Sequence, residues 1–130
     1  MTTNEKVRYW QELADYDLET ASAMLETGRY LYVGFMCHQT IEKVLKAYFT
    51  KANEAVPPFT HGLARLAEKS GIFSDFSPTQ IETIEILEPL NIEARYPTYK
   101  EELMKALDHA KCETILSQTK ELKQWIEQKL

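Results

Sequence analysis

The sequence predicts an all-α domain, and three observations carry that prediction. The stretch from Tyr30 to Thr50 repeats its apolar residues at helical spacing. The chain has only 4 Gly and 5 Pro, too few breaking residues for a many-turned β protein. Helix-start signals recur along its length. In the Tyr30–Thr50 stretch, at about 100° per residue, Val33, Met36, Cys37, Thr40, Ile41, Val44 and Tyr48 fall in one arc. Gln39, Glu42, Lys43 and Lys46 fall in the opposite one. Glu42 and Lys46 stand four apart with the acid first, the order that favours a helix. A helix this long and this apolar on one side needs partner helices, so the rest of the chain is read around it.

The first helix is expected from Thr3 to Thr27. Thr2 and Glu5 have capping-box spacing, and Gly28 can take the left-handed conformation that ends helices. Trp10, Leu13, Ala14, Ala21, Met24 and Leu25 share its apolar face. Asp17 falls in the middle of that face, where a carboxylate needs a partner. Either it holds a structural bond between helices, or it orients a functional Arg or Lys. The short link Gly28-Arg29-Tyr30 makes the first two helices antiparallel neighbours. Pro57-Pro58 breaks the chain after the second helix.

Thr60 is expected to cap a short helix that ends at Ser70-Gly71, with His61 in its first turn. The simplest role for His61 is a partly buried hydrogen bond to a neighbouring helix. Ser77, Pro78 and Gln80 mark a fourth helix by capping box and first-position proline. Ile81, Ile84 and Leu87, with Leu90 as a further candidate, form its apolar face, and Glu82, Glu85 and Glu88 form an acidic, solvated one. Pro89 ends or kinks it near Glu88. Pro97 then biases Tyr96 away from helix, and Thr98 with Glu101 makes another capping box. One long last helix is expected from Tyr99 to about Lys129, with Leu103, Leu107, Ala110, Thr114, Ile115, Leu122, Trp125 and Ile126 as its stripe. Arg95 and Tyr96 lie at the junction. Outward-pointing amides at a helix start favour anions, and an Arg beside them suits phosphate. The competing reading ties Arg95 to Asp17, Glu42 or the fourth helix.

Composition bounds the rest. A chain of 130 residues, 44% hydrophobic and 27% charged, is one domain spanning residues 1–130 with material for one core. A formal charge of −5 makes a poor non-specific nucleic-acid binder, so RNA is disfavoured as a partner. The opening MTTNEKVRYW lacks a secretory pattern, and no stretch approaches the roughly 18–20 apolar residues of a membrane span. Cys37 and Cys112 lack metal-ligand spacing. They read as packed free thiols in a reducing cytoplasm, with no metal and no cofactor expected.

Four segments, in order, resemble HEPN domains. The first is the Trp10 region with Ala14, Asp17-Leu18 and Ala21. The second is Gln39, Glu42, Lys43, Leu45, Lys46 and Ala47, and the third is Thr60-His61 with Leu63. The fourth is the turn Ala94-Arg95-Tyr96-Pro97. The resemblance covers nearly the whole chain. It implies an up-and-down four-helix bundle with one short extra helix, similar to nucleotidyltransferase substrate-binding subunits that commonly pair as homodimers. Some HEPN proteins are metal-independent ribonucleases with an Arg followed, after four to six residues, by a His. Arg holds phosphate and His transfers protons. This sequence departs from that pattern. The offsets after Arg95 fall on Lys100, Glu101 and Glu102, and the next His, His109, is expected more than three turns into the last helix. Tyr99 is no ready replacement.

The resemblance and the missing His together imply no catalytic residues. They point to a non-catalytic module that takes a nucleotide or similar anion at Arg95, Tyr96, Gln39, Lys43 and Lys46, with Asp17, Glu42 and His61 in support. It would partner a separately encoded minimal nucleotidyltransferase, as in a toxin–antitoxin pair. The alternatives are a ribonuclease toxin using Arg95 with His61 or His38, and a dimeric scaffold without a ligand.

Overall fold

The computed structural model describes residues 1–93 and 97–130, with their side chains except at 92, 93, 97–100 and 103. The helices run α1 (Thr3–Glu26), α2 (Tyr30–Asn53), α3 (Leu63–Ser70), α4 (Pro78–Leu87), α5 (Leu90–Glu93), α6 (Pro97–Ala106) and α7 (His109–Glu127), with a 3-10 turn at Phe73–Asp75. The fold is an all-helical bundle. α2 lies at its centre and touches each of the other six helices. That explains why its Val33, Cys37, Ile41, Val44, Leu45 and Ala47 are all fully buried.

Local chemistry sets several boundaries as the sequence predicts. Thr2 accepts the amide of Glu5 (3.2 Å), and Gly28 at φ 72° turns the chain out of α1. Ser77 accepts from the Gln80 amide (3.2 Å) while the Gln80 side chain accepts from the Ser77 amide (2.8 Å), closing the capping box of α4. α1 and α7 are clasped by Lys123, which reaches Asp15 (2.5 Å) and Glu127 (2.8 Å). Trp125 packs at a tilt against Phe76, with ring centroids 5.5 Å apart. No helix among the described residues is long and apolar enough to cross a membrane.

Two expectations about helix boundaries are corrected. The long last helix is two helices, because Leu107 is buried and Asp108 caps α7 by accepting the Lys111 amide (2.8 Å). The break shifts the helical phase, so Ala110 and Thr114 are exposed and Cys112, Leu116 and Thr119 are buried in their place. His109 therefore opens a helix instead of lying three turns inside one. Next, α3 begins at Leu63, not at Thr60. Thr60 Oγ1 accepts the Gly62 amide (3.0 Å), which leaves His61 in the loop before the helix. The amides that open α3 are capped from a distance: Glu88, expected to be solvated, accepts from Leu63 (2.7 Å) and Ala64 (3.1 Å). A carboxylate at a helix N-terminus satisfies otherwise unpaired donors and the helix dipole together. The all-helical bundle itself is as expected, and α5, a single turn of four residues, is added between α4 and α6. The capping box of Thr98 with Glu101 rests on a side chain outside the described ones, and α6 already starts at Pro97.

Candidate functional site

The polar stripe of α2 is covered rather than solvated. Residues 39, 42, 43 and 46 recur at helical spacing and form a ridge facing α1, α5 and the segment before α3. Each is met by a partner from another element or from the next turn. Lys43 donates to Asp17 Oδ2 (3.0 Å) on α1 and to Gln39 Oε1 (3.2 Å) one turn back. The Gln39 amide in turn donates to Asn91 Oδ1 (3.1 Å) on α5. The expected interhelical bond of Asp17 is thus present, and it holds a Lys. Asp17 and Lys43 keep 13% and 18% of their side-chain exposure, so the pair is partly shielded and still reachable.

Toward the other end of the stripe, Glu42 is almost sealed, at 2% exposure. Lys46 pairs with its Oε2 (3.1 Å) and His61 Nδ1 bonds its Oε1 (2.9 Å). His38 Nδ1 stands 3.9 Å from Oε1. Burial pushes the Glu42 carboxyl up, but the hydrogen bond from His61 and the Lys46 ammonium outweigh it, and the group is held below its usual range. The Lys46 ammonium also lies 5.3 Å from the centre of the Trp10 ring on α1, a cation–π contact.

His61 makes the expected bond to a neighbouring helix, but its side chain is 57% exposed instead of partly buried. The Nδ1 bond to Glu42 orients the ring while more than half of the side chain remains open to solvent. His38 is fully buried, which removes it as a group that could meet a substrate. Arg95 and Tyr96 lie outside the described residues. Sequence reasoning missed Asn91, which is 5% exposed, and Glu88. The available signal for Asn91 was an amide between two apolar residues, Leu90 and Ile92, directly after a helix-ending proline.

The stripe is electrically balanced: Lys43 faces Asp17 and Lys46 faces Glu42. It can orient a polar ligand and supply ammonium donors, but it carries no surplus charge of its own. Among the described residues no group of three or more His, Cys, Asp or Glu side chains could hold a metal ion.

Comparison with solved structures finds the fold again in TT1696 from Thermus thermophilus. Its crystal structure superposes with a TM-score of 0.83, covering 96% of this chain and 98% of that one at 22% identity. No curated protein matches the sequence. The HEPN domain model matches residues 7–129, a span that contains the stripe, its partners on α1 and α5, and the loop that carries His61. With a family match over nearly its whole length and the corresponding bundle in three dimensions, the chain belongs to the HEPN domain family.

Proposed function

We propose that this protein is a non-catalytic nucleotide- or anion-binding module. It works as a homodimer in the cytoplasm, alongside a separately encoded minimal nucleotidyltransferase, in a toxin–antitoxin-like pair. The ligand sits against Gln39, Lys43 and Lys46 with Arg95 and Tyr96, and Asp17, Glu42 and His61 hold those groups in place. The observation that carries this reading is the Gln39–Asn91 bond (3.1 Å). It fastens the stripe to α5, which ends at Glu93, directly before Ala94-Arg95-Tyr96, and α6 opens at Pro97. Because the stripe is charge-balanced, this reading leaves the anion-selecting charge to Arg95 and the α6 amides. Titration calorimetry with nucleotides tests it. The expected result is micromolar binding by the intact protein, weakened about tenfold or more in Arg95→Ala, as for loss of a charge-assisted contact. Co-purification with a neighbouring transferase tests the partner. Absence of both heat and partner would remove the proposal.

A second reading, a metal-independent ribonuclease, is favoured by one observation: His61 is exposed and backed by a buried carboxylate at 2.9 Å. That arrangement suits proton transfer. Incubation with cellular RNA decides between the two. Cleavage lost in both Arg95→Ala and His61→Ala, and kept in an exposed-surface control, would replace the binding module with the nuclease.

A further inference from the structure

We propose that the groove between α1 and the loop joining α2 to α3 is a second ligand site. Its ligand is a small aromatic anion, one planar ring system bearing a negative charge. Its lining shares no residue with the site proposed at Gln39, Lys43, Lys46, Arg95 and Tyr96, and it does not depend on Arg95.

The groove is lined by Lys6, Tyr9 and Trp10 of α1, Thr50 of α2, and Val56 and Pro57 of the loop that follows. Its volume is ≈ 190 Å³. That is below the roughly 300–1,000 Å³ of a drug-sized pocket, and it suits one or two fused rings. An α-helix with side chains, about 10–12 Å across, is too thick for it. The surfaces are aromatic and aliphatic, and they are left in water: Tyr9 is 49% and Val56 71% exposed. The Thr50 hydroxyl is already committed to the Lys46 carbonyl (2.8 Å), so it adds little polarity.

The walls are held in place before any ligand arrives. The Tyr9 and Trp10 rings meet edge to face, with centroids 5.5 Å apart. Lys46, anchored by Glu42, lies against the Trp10 ring. The loop is fixed at both ends. Glu54 caps α2 in a left-handed conformation (φ 49°), its amide donating to the Thr50 carbonyl (2.9 Å). At the other end His61 is bonded to Glu42. Preorganised aromatic walls lower the cost of seating a ring. Charge selects the sign. Although the chain carries −5 overall, the charged side chain among the described residues lining the groove is a lysine, Lys6. A ring with a carboxylate or a phosphate satisfies both features, so an aryl carboxylate and a nucleoside monophosphate are the two sources of that chemistry.

The test uses the full chain and follows the indole N–H resonances of Trp10 and Trp125 by NMR. Indole-3-acetate and adenosine monophosphate are the probes, and tryptamine, the same indole ring with a cationic tail, is the control. At least one anion is expected to shift Trp10 and leave Trp125 in place, and which one does so identifies the source. Val56→Glu, at an exposed position, should abolish the shift. Lys6→Glu, also exposed, should weaken binding about threefold to tenfold, as for an exposed charge pair. Arg95→Ala should leave it unchanged, which separates failure here from failure of the function proposed above. The proposal is overturned if tryptamine binds as well as the anions, if the shift survives Val56→Glu, or if it vanishes in Arg95→Ala. The absence of any Trp10 shift at about 10 mM probe, near the weakest affinity worth calling a site, overturns it too.

Discussion

Two acid–base clusters share one face of α2, and they solve the same electrostatic problem differently. At Glu42 the carboxylate is 2% exposed and carries Lys46 on one oxygen and His61 on the other. At Asp17 the carboxylate keeps 13% exposure and holds Lys43, which is shared with Gln39 and through it with Asn91. A buried charge is stable only while its partners are complete, and a partly open one tolerates exchange with water or a ligand. The first cluster therefore reads as a fixture that binds the α2–α3 loop to the core. The second reads as an adjustable contact tied to α5 through Gln39 and Asn91.

The largest effect should come from the sealed end. Glu42→Ala is expected to cost about 2–3 kcal/mol in urea unfolding, toward the low end for a broken buried pair because Lys46 and His61 can turn to water. An equal loss in Asp17→Asn would erase the distinction between the clusters.

Gly34→Ala tests the open end from behind. A Cβ there would meet Leu90 Cδ1 at 2.7 Å, so the closeness of α5 to α2 depends on this glycine. The expected cost is about 1–2 kcal/mol, the usual range for overpacking with a side chain that can shift. Leu90→Ala should relieve the clash in the double variant, and a double-mutant cycle reads that coupling.

Acid should separate the clusters further. The Glu42 pKa is lowered from its ordinary 4.5 on folding, so its ionisation adds stability above that value. This contribution is lost as pH falls through the lower folded-state value. Unfolding midpoints measured on the acid side of 4.5 should therefore converge for the intact protein and Glu42→Gln, while at neutral pH they differ. A difference that persists unchanged in acid would show that the Glu42 carboxylate contributes by packing alone.

The smallest effect is expected from Asp17→Asn, below about 1 kcal/mol in stability, as for a partly exposed pair. Its consequence should appear in nucleotide affinity instead, because Lys43 loses its orienting partner. A variant with unchanged affinity would make the Asp17–Lys43 pair purely structural.

The ends of α1 and the start of α4 could be read in advance because Thr2, Gly28, Ser77 and Gln80 act on backbone groups within three or four residues of themselves. The ridge of Gln39, Glu42, Lys43 and Lys46 was legible for a similar reason, since helical spacing places those side chains together wherever the helix is put. The break at Leu107-Asp108 was missed because apolar residues continue at tolerable spacing across it. An Asp at that point weighs little until burial of Leu107 makes the kink worthwhile. Capping of α3 by Glu88 and the tie from Gln39 to Asn91 join residues 25 and 52 positions apart. Such pairs leave no periodic trace.

What the sequence determined by itself, then, was the helical class, the helix termini that carry their own caps, and a row of polar groups on one rod. Tertiary structure alone decided that this rod would be the central one. A helical wheel sorts residues by direction but does not say how many neighbours will cover each direction. Because α1, α5 and the loop before α3 all close over the polar side, Glu42 became a buried anchor, while Lys43 remained within reach of solvent.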